Sequence, residues 1–574
     1  MKKNLGFSSY ISAQSATGVP VHAHKLREFI ARFSWEETFM KLAMLAGALA
    51  NYRTNGGEYY SQHVYNELTK LRFSFRKIDW LIGDHVLRNK ENPVAHEQAI
   101  YFLQSLAILY GKTIGPTPSD LEVGQLLLAA NDHLTSWKEE DAPPLSRSDR
   151  LTAEFCHLAR FNTHHDPLRG IVRTALIFEH PPKQGLLSDP AKWTDLQERA
   201  FGTSFTEWLE IFLLPLFYFS QTWGTHKDGK WIAPIITPQT WYAKTALQPT
   251  WTDHHFSSLT TTRVEARSHI EASLRSDGLP HAPTFFIRTP FIKLNSGNLV
   301  AASPWAIREQ LRGGIWMRHR EATRSFSDDI RTWTSAFGQT FEAACRNIAL
   351  ETIGQSNPTT KLILSTAIGS SDELEDIVTI ESDGIVLFSV KSRLVLESVA
   401  RQAVSRRNLL NWYEEFLFGP GNKKKKHQPG ALRLLDARIH AIRSGQTEIR
   451  ETLAPIFPVL VTFDDLCENG ALDRWIAKKY SEHDMPRPPN THPPVLLTIN
   501  DFEALMSLSS SGHLITSILS RKHSEEWRDA TMSALLLSYS PNGSLLCAKS
   551  FLKRFSEIDE RAFSRFFPDA AHSR

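Results

Sequence analysis

The chain is poor in cysteine. Four cysteines (Cys156, Cys345, Cys467 and Cys547) stand among 574 residues, far apart and with no Cys-x-x-Cys. That spacing argues against a disulfide framework or a zinc ribbon and fits a reducing, cytoplasmic setting. Charge of one sign is also scarce. The formal net charge is +3, too small for whole-chain charge to point to a nucleic-acid partner, so that argument needs local clusters. Long apolar runs are missing too. The most apolar stretch, Ile211 to Phe219, follows Glu210 and is interrupted by Pro215. It falls short of the ~20 residues of a membrane span and reads as a buried helix, so no membrane partner is expected. The first residues, MKKNLGFSSYISAQS, hold no apolar core of a secretion signal. Neither an internal repeat nor a long low-complexity segment is visible.

What is present is ordinary globular composition, 41% apolar and 22% charged. The length is too great for one core, and roughly two to four domains are expected. Residues 1–280 read as an α-helical N-terminal region. Leu26, Phe29, Ile30 and Phe33 recur at helical spacing, and so do Phe205, Trp208, Leu209, Phe212 and Leu213. Ser34 with Glu37 three residues on has the form of a capping box. Residues 281–324 read as a hairpin and helix joint, with strands at Thr284 to Ile287, Phe291 to Leu294 and Leu299 to Ala302. Ser303-Pro304 then opens a helix. Residues 325–510 read as an α/β core with a basic insertion at 419–455, and 511–574 as a small C-terminal region.

Within the core, Asp376 to Lys391 reads DIVTIESDGIVLFSVK. Two apolar runs flank Glu381-Ser382-Asp383-Gly384, which supplies the turn; Asp-Gly is a hairpin signal because its residues can take positive φ. Alternation sends Ser389, Lys391 and Arg393 out of one face, with Asp376 on the neighbouring strand. An acid and a lysine at the mouth of an apolar hairpin cost desolvation and call for a function. Upstream, Gly338-Gln339-Thr340-Phe341-Glu342 lies on a helix striped by Phe337, Phe341, Ala344 and Ile348. Gly338 costs that helix about 1 kcal/mol against alanine, which predicts a close approach to another backbone.

This arrangement resembles the PD-(D/E)xK nuclease superfamily. The shared features are Gly338 to Glu342 on a leading helix, Asp376 on one strand and Lys391 closing the next, with later strands at Pro458 to Phe463 and Pro494 to Ile499. The resemblance implies a restriction-endonuclease-like core, a mixed central sheet flanked by helices. It also implies metal-dependent cleavage of DNA phosphodiester bonds with Mg²⁺ or Mn²⁺. By position, Asp376 is the metal ligand, Lys391 the catalytic lysine and Glu342 a catalytic helix carboxylate that ligates directly or through water. The chain departs from the pattern at Ser389, which stands where the superfamily has an acid. Three outcomes stay open: a carboxylate supplied from elsewhere (Glu397 or Glu342), a weak metal site that cuts slowly, or a core that has lost catalysis and only binds nucleic acid or scaffolds a complex. Anti-phage defence or restriction is the setting implied by fold-level analogy.

Arg393, Arg401, Arg406, Arg407 and the run Lys423, Lys424, Lys425 and Lys426 are candidate phosphate contacts. Such contacts set affinity and register without reading bases. The helical N-terminal region is a candidate surface for a protein partner. Gly111-Lys112-Thr113 mimics the end of a P-loop, but Leu106 occupies the position where that loop needs glycine.

Overall fold

Every residue of Gly384–Lys391 except the last is buried. An apolar run without alternation marks a strand covered on both faces, and this one is the middle strand of a five-stranded sheet. The computed structural model describes residues 12–14, 19–54, 97–134, 145–159, 167–221, most of 226–325, 330–354, 360–364, 376–392, 405–419, 429–463, 470–540 and 547–568, with short gaps in the longer stretches. The protein is a mixed α/β chain, mostly helical, with this sheet in its C-terminal half and a helical N-terminal region. Two compact units are distinguished. One is built mainly from Trp137–Pro190 and Arg331–Phe555, the other from Ser8–Ser136, Ala191–Ile330 and Ser556–Arg574.

In the first unit, α1 (Pro167–Phe178) and α2 (Ile330–Ala349) precede strands β1 (Lys361–Leu364), β2 (Ile377–Glu381) and β3 (Gly384–Lys391). Then come α3 (Arg406–Phe418), α4 (Ala431–Arg443), β4 (Ile456–Thr462), α5 (Gly470–Glu482), β5 (Val495–Thr498), α6 (Ile499–Ser510) and α7 (Ile515–Lys522). The spatial order is β5-β4-β3-β2-β1. β1, β2 and β3 form an antiparallel meander, while β4 and β5 run parallel to β3. Parallel neighbours need crossovers, and helices α3 to α5 supply them. Val378, Ile385, Leu387 and Leu460 share a core cluster with Tyr413 and Leu417 of α3 and Leu435 of α4. Elsewhere Phe388 meets Phe502 of α6 edge to face, and Phe337 and Phe341 of α2 meet Phe463 the same way.

The β2–β3 turn spans Glu381-Ser382-Asp383-Gly384, as expected, but without the expected positive φ. Glu381 pairs with Gly384, so Ser382 and Asp383 make the turn, and neither Asp383 nor Gly384 takes positive φ. Gly384 is needed for space instead: a Cβ there would lie 2.6 Å from the Pro455 carbonyl oxygen. Glu381 is also more than a turn residue. Its buried carboxylate accepts from Ile515 N (3.1 Å), Thr516 N (2.8 Å), Thr516 Oγ1 (2.7 Å) and Thr360 Oγ1 (3.3 Å), tying the hairpin to the first turn of α7. Glu381→Ala strands these buried donors and is expected to lower unfolding free energy by about 1–3 kcal/mol in urea titration. An unchanged midpoint would show that water replaces the carboxylate.

In the second unit, the stripe Phe205, Trp208, Leu209, Phe212 and Leu213 is buried on helix Phe205–Gln221, as its spacing predicts. Glu210 on the same helix is buried and paired with Arg561 (3.0 Å) and Arg565 (2.7 Å). Among the described residues, no helix is long and apolar enough to cross a membrane. Ser34 Oγ accepts from Glu37 N, but the return leg of the expected box is absent: Ser34 N donates to Pro116 O, and Glu37 Oε2 accepts from Thr117. Gly111 is a packing glycine, since a Cβ there would lie 2.8 Å from Trp35 Cβ. The strand predicted at Thr284 to Ile287 is instead a short helix, Phe285–Arg288; a four-residue apolar run does not separate the two states. Phe291–Lys293 and Leu299–Ala301 pair antiparallel as expected. They belong to a four-stranded sheet completed by Ile235–Ile236 and Thr260–Thr262.

His319 of this unit is fully buried among Trp193, Phe201 and Phe205. Burial pushes its pKa down to about 3. The unfolded chain takes up a proton near pH 6.5 and the folded chain does not, so stability is full above 6.5 and is lost as pH falls toward 3. Between pH 7 and pH 5 this site contributes a loss of about 2 kcal/mol. His319→Gln is expected to flatten the melting temperature over that interval; an equally steep pH profile in the variant would assign the effect to other groups.

Candidate active site

The register Ile377 with Phe388 continues one step to set Asp376 beside Ser389. Val390 N–H donates to Asp376 Oδ2 at 2.7 Å, which fixes the carboxylate at the open end of the hairpin. Lys391, the last residue of β3, brings Nζ to 3.7 Å from the same oxygen. Both side chains are partly covered, Asp376 16% and Lys391 29% exposed. An acid and an ammonium therefore sit side by side at the strand mouth, within reach of solvent.

Helix α2 supplies the rest. Glu342 and Arg346 are one turn apart and paired, with Arg346 Nη2 at 3.4 Å from Glu342 Oε2 and 4.0 Å from Asp376 Oδ1. The guanidinium thus links the two carboxylates that the sequence singled out. Gly338 lets α2 come close to the end of β3, as its helix cost predicts, but the neighbour is a side chain: a Cβ at 338 would lie 3.3 Å from Ser392 Oγ. Beneath the site, Arg173 of α1 makes a two-pronged pair with Glu503 of α6, at 2.6 Å and 2.7 Å, and both side chains are almost fully buried. Burial, with the nearby Glu503, Asp376 and Glu342 carboxylates, pushes the Cys345 thiol well above its usual range, so it stays protonated and inert.

Ser389 is fully buried and, among the described residues, its Oγ has no hydrogen-bond partner. Leaving a buried hydroxyl unmatched is costly, so its place beside Asp376 is informative. Among the described residues, no three His, Cys, Asp or Glu side chains converge as a metal-holding group. Glu397, the candidate replacement acid, lies outside the described residues, as do Arg393, Arg401 and Lys423 to Lys426. Arg406 and Arg407 open α3, behind the Ser405 cap. Sequence reasoning missed Arg346, although its position four residues after Glu342 on a helix was the available signal. Comparison with protein-family models, curated proteins and solved structures finds no match for this chain.

Proposed function

We propose that the chain is a metal-dependent nuclease that hydrolyses DNA phosphodiester bonds at the Asp376–Lys391 mouth. The observation that carries this reading is Lys391 Nζ at 3.7 Å from an Asp376 carboxylate held by Val390 N–H. The order of elements supports it: a leading helix bearing Glu342, three antiparallel strands, helices, then parallel strands. That order is the one the resemblance to the PD-(D/E)xK superfamily implies for a restriction-endonuclease-like core. A cytoplasmic role in anti-phage defence or restriction follows by analogy with that superfamily, as does a protein partner on the helical region. Free thiols at Cys156, Cys345 and Cys547 are compatible with a reducing compartment.

The residues fit a hard, water-rich cation. Asp376 and Glu342 offer carboxylate oxygens, and the unmatched Ser389 hydroxyl offers a neutral third donor. Mg²⁺ or Mn²⁺ keeps several waters and needs few protein ligands. Such an ion, when bound, activates water and neutralises charge at phosphorus. The chain's own share is otherwise clear. Lys391 is placed to hold a water by hydrogen bonding and to offset negative charge growing on a non-bridging phosphoryl oxygen. Asp376 orients Lys391 through their 3.7 Å pair. Arg346 must swing away from Asp376 for the carboxylate to ligate, or else remain as a second cation facing phosphate.

That last point favours a second reading, an inactive nuclease-like subunit that binds nucleic acid or scaffolds a complex. Its supporting observation is Arg346 bridging Glu342 and Asp376. The readings separate by experiment. The nuclease reading expects supercoiled plasmid to be cut with Mg²⁺ or Mn²⁺, and the cutting to fail in Asp376→Ala and Lys391→Ala. It also expects a calorimetric Mn²⁺ site that disappears in Asp376→Ala. Salt-sensitive DNA binding with no such metal site would select the second reading.

A further inference from the structure

A cleft of about 470 Å³ opens beside β5, framed by α5, the end of α7 and the loop after it. Its size suits a small organic ligand. Strand register places it away from the Asp376–Lys391 mouth. Val495 of the cleft is level with Val459 and Phe388, whereas Lys391 is level with Thr462 and Thr498. The two sites are therefore about 10 Å apart along the strands and two strands apart across them.

The lining is cationic. Arg474, Arg487, Lys522 and Arg528 face Asp473 and Asp529. Both acids are already engaged: Asp473 with the buried Lys522 at 3.1 Å, and Asp529 with Arg474. Arg487 and Arg528 are exposed and have no acidic partner at ion-pair distance among the described residues. Two guanidiniums without counter-charge at one mouth form a fork for a phosphate. The walls are flat and apolar where the charges end. Tyr480 and His523 present rings, and Ile476 and Val495 present aliphatic carbon. Arg487 already lies over the Tyr480 ring, Cζ 5.9 Å from its centroid. His523 stacks on His492, which stacks on Phe457, so the ring is fixed in place. His523 Nε2 is buried with no hydrogen-bond partner among the described residues. Burial, with the His492, Lys522 and Arg487 charges, holds His523 down at about pKa 4, so its ring is neutral at pH 7 and can face a base without adding charge.

We propose that this cleft binds a nucleoside monophosphate, its phosphate on Arg487 and Arg528 and its base between Tyr480 and His523. The proposal is independent of the nuclease reading, since no residue of the strand mouth takes part. The test is calorimetric titration of the full chain with AMP, GMP, CMP and UMP, and with inorganic phosphate, at 0.15 M salt. At least one nucleotide is expected to bind saturably and at least tenfold more tightly than inorganic phosphate. Arg487→Ala with Arg528→Ala is expected to weaken it at least tenfold, and Lys391→Ala to leave it unchanged. Both arginines are exposed, so the double variant is expected to keep the wild-type melting temperature. A second variant, Ala477→Trp, fills the cleft from the exposed side of α5, keeps every charge, and is expected to abolish binding. No nucleotide binding more tightly than inorganic phosphate would overturn the proposal, and so would wild-type affinity in both variants.

Discussion

Lys391→Ala is expected to slow Mg²⁺-supported plasmid cleavage by a factor on the order of 10²–10³, the usual loss when one donor to developing transition-state charge is removed. The ammonium is 3.7 Å from Asp376 and is supplied by the terminal residue of a buried strand, which fixes where its charge is presented. Lys391→Arg is expected to recover little of the rate, because a planar fork does not occupy the position of a compact ammonium. The loss should lie in the chemical step, so single-turnover rates fall while DNA affinity changes little. Folding should be nearly untouched. Both partners are partly exposed, and a pair of that kind contributes at most about 1 kcal/mol. Cleavage by Lys391→Ala at the wild-type single-turnover rate would remove this lysine from the chemistry and, with it, the proposed reaction.

The largest stability effect is expected at the buried pair under the site. Glu503→Ala leaves Arg173 charged and buried without its two-pronged partner, and is expected to lower unfolding free energy by about 3–5 kcal/mol. Among the described residues, Arg173 then keeps only the Asn500 side chain as an acceptor, which does not neutralise a guanidinium. The pair itself need not stabilise the fold by that amount, because both ions give up hydration to meet. Replacing both residues, Arg173→Met with Glu503→Leu, is therefore expected to restore most of the loss. Urea titrations of the two single variants and the double variant decide this. A double variant as unstable as Glu503→Ala would mean that the pair holds α1 and α6 in a geometry that packing alone does not reproduce.

Much of the central architecture was legible because its signals are local. The run from Ile385 to Val390 declared a strand, and the phenylalanine stripe through Phe337 and Phe341 declared the packed side of α2. What escaped depended on partners distant in sequence. The Arg173–Glu503 pair spans 330 positions, and no spacing rule connects such residues. Gly384 was read as a turn residue because Asp-Gly is a turn dipeptide, yet its role is set by Pro455, a neighbour only after folding. Phe285 to Arg288 was ambiguous for the opposite reason: four apolar-rich residues carry too little period to choose between helix and strand. At the strand mouth, Asp376, Lys391 and Glu342 were picked out by their order, while Arg346 was passed over because one more arginine on a helix has no signature of its own. It is nevertheless the group in contact with both carboxylates.

Arg346 has one further consequence. Together with Lys391 it offsets Asp376 and Glu342, so these four side chains are electrically balanced. An approaching polyanion therefore feels neither pull nor push from this quartet beyond contact range. Any steep ionic-strength dependence of its capture then reports on cations elsewhere along the polypeptide.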